Sequence, residues 1–69
     1  MTVREKEILS YIIAFKLTNG YSPTTKEIML GINTNSKQFV ETALENLQSD
    51  GYITTKPRCP RTINVIKFF

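Results

Sequence analysis

Apolar side chains recur at helical spacing over two stretches of this 69-residue sequence. In the first stretch they repeat at intervals of three and four, at Ile8, Leu9, Ile12 and Phe15. Thr2 and Glu5 stand three residues apart ahead of this stripe, which is the spacing of a capping box. The pattern predicts a helix over residues 3–18 that stops at Asn19-Gly20, because glycine readily takes the left-handed backbone that ends helices.

The second stretch has the same periodicity, at Phe39, Val40, Ala43, Leu44 and Leu47. It predicts a helix that begins within residues 34–36 and ends at Gly51, with Asn35 and Gln38 at capping-box spacing. Between the two, Thr24 and Glu27 again have capping-box spacing, and a short apolar run reaches Gly31. Pro23 keeps the residue before it extended, so this middle helix has only about two turns.

Residues 52–55 and 62–66 are rich in β-branched side chains and flank a loop at 56–61, which predicts a hairpin. The order of elements is therefore helix, helix, helix, strand, strand. We interpret residues 1–69 as a single α+β, mainly α domain with the winged helix-turn-helix fold, in which the hairpin is the wing.

Charge is distributed unevenly along the chain. Residues 1–50 carry five basic and six acidic side chains, whereas residues 51–69 carry four basic side chains and no acidic one. This asymmetry favours a polyanionic partner reached through the C-terminal third. The alternative is a solvated hairpin tip that charge merely keeps soluble.

In a helix-turn-helix the second helix of the pair lies in the major groove and presents its first residues to the bases. The residues predicted to do so here are Asn35, Ser36, Lys37, Gln38, Glu41 and Thr42. The start of the preceding helix adds three candidate phosphate contacts, Thr24, Thr25 and Lys26. The alternative is that these positions form only the solvent-exposed polar face that every amphipathic helix has.

The wing carries more positive charge than the third helix, in which Glu41 and Glu45 offset Lys37. Lys56, Arg58 and Arg61 are predicted to lie on the DNA backbone or in the minor groove, while Pro57 and Pro60 limit the freedom that the loop loses on binding.

The sequence argues against catalysis. It contains no histidine, no Ser or Cys with a general base beside it, and no carboxylate cluster with metal-ligand spacing, so we expect neither enzyme activity nor a metal or cofactor. The one cysteine, Cys59, and the lack of a long apolar stretch indicate an intracellular, cytoplasmic protein without a membrane span. Cys59 is either a redox switch or an incidental surface thiol.

The aromatic side chains suggest either base stacking or core packing. For Tyr21, Phe39 and Tyr52 the sequence favours the core, because so small a domain needs large side chains inside. The terminal Phe68-Phe69 either completes the last strand against the first helix or forms an exposed dimer contact.

The segments NGYSPTTKEI and ALENLQSDGYI resemble the N-terminal DNA-binding domain of the LexA repressor family, and the resemblance spans residues 2–66. It implies DNA contacts from the wing and from five positions: Asn35, Ser36, Gln38, Glu41 and Thr42. The turn GINTNS is longer than the family's, and the autoproteolytic domain with its Ser and Lys is absent from the sequence. We therefore expect a compact regulator of phage or mobile-element type that does not cleave itself.

The predicted function is sequence-specific binding of double-stranded DNA by a small transcriptional regulator, acting as a homodimer. The alternative is a winged-helix adaptor that binds a protein such as a polymerase subunit or another regulator. Glu41 and Glu45 on the same helix face and the apolar C-terminus favour that alternative.

Overall fold

A computed structural model describes residues 2–56 and 61–68 of the chain. It contains three helices and a two-stranded antiparallel sheet: α1 (Val3–Asn19), α2 (Thr25–Gly31), α3 (Lys37–Ser49), β1 (Ile53–Thr54) and β2 (Asn64–Val65). In the sheet Ile53 pairs with Val65 and Thr54 pairs with Asn64. This arrangement confirms the winged helix-turn-helix order. A single domain over all of residues 1–69 stays a prediction.

The caps of α1 are the predicted ones. The Glu5 amide donates to Thr2 Oγ1 at 3.1 Å, and the Thr2 amide donates to Glu5 Oε1 at 3.1 Å. At the other end Gly20 has φ 81°, and its amide donates to the Lys16 carbonyl at 2.8 Å. Both signals are local in sequence, so the predicted helix differs from α1 by one residue at its C-terminus.

The N-cap of α3 is Ser36, so the prediction of a capping box at Asn35 was wrong. Ser36 Oγ accepts a hydrogen bond from the Phe39 amide at 3.1 Å, and Asn35 is exposed. The preceding turn sets this position, because the Ser36 amide donates to Thr34 Oγ1 at 3.2 Å and the Thr34 amide donates to the Met29 carbonyl at 2.9 Å.

The C-terminus of α3 ends in a Schellman motif around Gly51. Gly51 has φ 83°, its amide donates to the Gln48 carbonyl at 3.0 Å, and the Tyr52 amide donates to the Leu47 carbonyl at 2.9 Å. This turn sends the chain directly from the third helix into β1.

Both strands are shorter than the predicted segments 52–55 and 62–66. Beyond Thr54 the side chains of Thr55 and Thr62 replace the backbone ladder, with their hydroxyl oxygens 3.3 Å apart. The Lys56 amide donates to Thr62 Oγ1 at 3.1 Å. At the opposite end the Ile66 amide donates to the Tyr52 carbonyl at 2.8 Å, which continues the pairing past β2.

One apolar core joins the three helices to the hairpin. Its buried members are Ile8, Leu9, Ile12, Ile28, Val40, Ala43, Leu44, Leu47, Ile53 and Ile63. Phe39 and Tyr52 are half-buried against this core, in agreement with the sequence. Tyr21 is 46% exposed, so its placement in the core was wrong. It follows the turn at Gly20, and its ring lies at the edge of α1, where its centroid is 5.7 Å from that of Phe15.

A close approach between α1 and α2 completes the packing, and the C-terminus lies outside it. A Cβ atom at Gly31 would overlap the ring of Tyr11, so this glycine lets α2 lie directly against α1. The C-terminus leaves the core, because Ile66 and Phe68 are 57% and 67% exposed. Phe68 therefore does not pack against α1, and Phe69 lies outside the described residues.

Candidate nucleic-acid interface

The beginning of α3 presents a polar surface. One side of this helix is buried, through Val40, Ala43, Leu44 and Leu47. All six positions predicted to contact DNA from this helix are exposed: Asn35, Ser36, Lys37, Gln38, Glu41 and Thr42. They supply amide, hydroxyl and ammonium groups that can pair with base edges, and one carboxylate that can accept from cytosine.

A buried carboxylate fixes α3 against α1. Glu5 is only 8% exposed, and its Oε2 accepts a hydrogen bond from Asn46 Nδ2 at 3.1 Å while its Oε1 caps α1. Near the other end of α3, the Arg4 guanidinium lies 5.5 Å from the centroid of the Phe39 ring. These contacts set the orientation of the exposed face of α3 relative to the rest of the domain.

The start of α2 is a closed cap with an exposed cation beside it. The Thr24 amide donates to Glu27 Oε1 at 2.8 Å, and the Glu27 amide donates to Thr24 Oγ1 at 3.2 Å. Thr25 is half-buried and Lys26 is exposed.

Arg61 is bound to the start of α2. Its Nη1 and Nη2 donate to Glu27 Oε1 and Oε2 at 2.9 and 3.1 Å, and Nη1 also donates to the Ser22 carbonyl at 3.2 Å. The guanidinium carbon lies 4.4 Å from the centroid of the Tyr21 ring. The sequence predicts Arg61 as a wing cation that contacts DNA, which stays a prediction; within the protein its guanidinium has these partners.

The same contacts act on the Glu27 carboxyl. Its pKa lies below the ordinary value of 4.5, first because the Thr24 backbone amide donates to the carboxylate and next because the Arg61 side chain does. The charged form of the Glu27 carboxyl is therefore favoured in the folded protein.

Of the other two wing cations, the structure describes Lys56 but not Arg58. Lys56 is exposed, and its backbone is fixed by the hydrogen bond of its amide to Thr62. The predictions for Arg58, Pro57, Pro60 and Cys59 lie outside the described residues. The structure thus joins the base of the wing to the start of α2, where Thr24, Thr25 and Lys26 lie.

Sequence reasoning missed two residues of this region, Glu27 as the partner of Arg61 and Asn46 as the partner of Glu5. The first pair is separated by 34 residues and the second by 41, so no local spacing indicates either. The only signal available was Glu27 itself, whose capping role explains just one of its two oxygens.

Among residues 2–56 and 61–68, no three Asp, Glu, Cys or His side chains lie where they could share a metal ion. The helices of this part of the chain include none with the length and apolarity to cross a bilayer.

Three helices, a buried face on the third and a C-terminal antiparallel hairpin define the protein as a winged helix-turn-helix. The profile of the LexA DNA binding domain matches residues 1–62, and the chain belongs to this family of DNA-binding domains.

Individual relatives agree with this membership. The LexA repressor of Carboxydothermus hydrogenoformans is 38% identical over 63 residues, which cover 91% of this chain and 31% of the relative. Those of Staphylococcus carnosus and Desulforamulus reducens are 36% and 35% identical over 66 residues, covering 96% of this chain and 32% and 31% of the relatives. The chain therefore spans about a third of the length of the repressors it matches.

Proposed function

We propose that this protein binds double-stranded DNA sequence-specifically and regulates transcription. The observation that carries the proposal is the exposed polar start of α3 on a chain that belongs to the LexA DNA-binding domain family. A binding role without a catalytic step is sufficient for this function. Action on DNA also implies the cytoplasmic location that the sequence predicts.

In the proposed complex the first turns of α3 enter the major groove. Asn35 and Gln38 are suited to adenine, Lys37 to guanine or phosphate, and Glu41 to cytosine. Ser36 and Thr42 can contact either bases or phosphates through their hydroxyl groups. The buried side of α3 supports this docking, because it leaves the opposite side without contacts to the core.

Phosphate contacts come from two flanking regions. The wing supplies Lys56 and Arg58 to the backbone or minor groove, and the start of α2 supplies Thr24, Thr25 and Lys26. This division gives sequence readout to α3, which carries Glu41 and Glu45 and is a poor electrostatic anchor by itself. The wing and α2 compensate for that weakness.

The salt dependence of DNA binding tests the wing contacts. A short random-sequence duplex is titrated with the wild type and with Lys56→Ala/Arg58→Ala at several salt concentrations. Loss of two phosphate contacts lowers the slope of log K against log salt by about 1.8, at roughly 0.9 per phosphate. The charge-matched control is Lys6→Ala/Lys16→Ala, at two exposed positions on α1. Equal slopes for the two double variants would contradict the wing contacts.

Selection of bound sequences from a random duplex pool tests specificity. We expect an enriched site whose two halves are related by a palindrome, because one small module offers limited affinity and a homodimer raises it. An unenriched pool would contradict sequence-specific binding, and a single non-palindromic half-site would contradict the dimer.

A second candidate function is the protein adaptor, which the exposed side chains of Glu41, Glu45 and Phe68 favour. It predicts that the protein has no affinity for the random duplex even at low salt. Salt-sensitive retention on that duplex would contradict it.

A further inference from the structure

We propose that Arg61 is a positioning residue that ties the wing to the start of α2 through Glu27, and is not itself a phosphate contact. This inference rests on the proposed function, because positioning matters only if the wing touches DNA. The phosphate contact is then left to Lys56 and Arg58, the two wing cations that precede Arg61 in the sequence.

The geometry of the pair supports a fixed orientation. The two terminal guanidinium nitrogens each donate to one carboxylate oxygen of Glu27, and this bidentate arrangement fixes the plane of the side chain as well as its distance. The Ser22 carbonyl and the face of the Tyr21 ring hold the same guanidinium from two other directions. A single surface ion pair would leave far more freedom.

The backbone at Arg61 shows the same constraint. Its φ is 59°, a left-handed conformation that side chains other than glycine and asparagine seldom adopt. In this conformation Arg61 directs its side chain onto α2. The chain continues from Arg61 through Thr62 to the buried Ile63. The side-chain contacts thus coincide with the turn that leads the chain from the wing into β2.

The contacts that the Arg61 guanidinium already makes within the protein argue against a direct phosphate contact. The guanidinium already donates to a carboxylate and a carbonyl and lies on an aromatic face, so turning it fully toward a phosphate would break these contacts. Its partner Glu27 would then lose both of the guanidinium donors that its carboxylate accepts from. The side chains of Arg61 and Glu27 remain 40% and 32% exposed, so the pair contributes little to global stability and its effect is local.

Replacing Glu27 distinguishes the two possible roles of Arg61, which are contacting phosphate and positioning the wing. Glu27→Gln keeps an oxygen for the Thr24 amide but removes the charge and one of the two acceptors that Arg61 uses. If Arg61 contacts phosphate, this variant releases it and affinity for the random duplex rises. If Arg61 positions the wing, affinity falls by about two- to fivefold, the range expected from an exposed bidentate pair.

The chain offers a matched control in the exposed pair Arg4–Glu7 on α1, with 2.8 Å between Arg4 Nη1 and Glu7 Oε2. Glu7→Gln removes the same charge, so it corrects for the general gain in DNA affinity when an acid is lost. We expect Glu27→Gln to bind more weakly than Glu7→Gln. We also expect Arg61→Gln and the double variant Arg61→Gln/Glu27→Gln to bind equally. Stronger binding by Glu27→Gln than by Glu7→Gln would overturn the proposal.

A measurement without DNA keeps this test separate from the proposed function. Heteronuclear NMR relaxation of the Lys56 and Thr62 amides reports the order of the wing base, and the Leu47 amide in α3 is the internal reference. We expect Arg61→Gln and Glu27→Gln to lower the order at Lys56 and Thr62 but not at Leu47. Unchanged order at all three amides would overturn the positioning role, whereas a wild type that fails to bind duplex DNA would overturn the proposed function alone.

Discussion

The N-cap of α3 makes a sharp prediction about stability, because two adjacent polar residues compete for the same role. Ser36 Oγ accepts from the Phe39 amide at 3.1 Å, whereas Asn35 is exposed outside the cap. Ser36→Ala removes the only side-chain acceptor that the structure gives this amide. Asn35→Ala is the matched control at the neighbouring position.

The magnitude follows from the loss of one capping hydrogen bond. Replacing an N-cap serine by alanine costs about 1 kcal/mol, since water bonds the freed amide less favourably than the cap does. In a domain of 69 residues this lowers the melting temperature by about 4–8 °C. Asn35→Ala is expected to change the free energy of unfolding by less than about 0.5 kcal/mol, as for other exposed positions.

Thermal unfolding followed by circular dichroism, in the absence of DNA, checks this prediction. Ser36→Asp supplies a further control, because aspartate is also a good N-cap and its charge is favourable at a helix N-terminus. It is expected to retain the wild-type melting temperature or exceed it. A larger loss in Asn35→Ala than in Ser36→Ala would refute the assignment of the cap.

Two further predictions concern the carboxylates that join elements. Asn46→Ala leaves Glu5 Oε2 without its donor and is expected to destabilise the domain by roughly 1 kcal/mol, measured by urea unfolding; an unchanged midpoint would contradict the role of this hydrogen bond. Glu27 has a lowered pKa, first through the Thr24 amide and next through Arg61, so the stability that it contributes is present above pH 4.5 and is lost as the pH falls through the lowered value. Carbon-13 NMR titration of the Glu27 carboxyl should give a midpoint below 4.5 that rises in Arg61→Gln, and a wild-type midpoint at or above 4.5 would contradict the pairing.

The parts of the fold that could be predicted from sequence depend on neighbours along the chain. The capping boxes at Thr2 and Thr24 and the turn at Gly51 each involve residues within about one helical turn, so spacing alone indicates them. The buried stripes follow from the period of 3.6 residues in the same way. These local signals were sufficient to predict the order of the elements.

The errors arise at positions where contacts outside the helical period decide the outcome. Tyr21 was placed in the core because it is large and aromatic, but its ring lies between Phe15 and Arg61 at the surface. The choice of Ser36 over Asn35 depends on the turn that Thr34 makes with α2, which composition does not reveal. The position of Tyr21 depends on a tertiary contact and that of the cap on a particular turn, and no periodic pattern encodes either.

The candidate interface was predictable to a similar extent. The exposed side of α3 followed from the buried side, because an amphipathic helix fixes one from the other. The engagement of Arg61 did not follow, since a basic residue in a loop has the same sequence signature whether it is solvated or paired. Its partner Glu27 is separated from it by 34 residues.

The most direct test of the account is an NMR map of the protein as the random-sequence duplex is added at low salt. We predict that the largest amide shift changes fall on residues 35–42 and on Lys56, with smaller changes at Thr24 to Lys26. Changes concentrated instead on the exposed side of α1, at Ser10 and Leu17, or no changes at all, would contradict DNA binding through α3 and the wing.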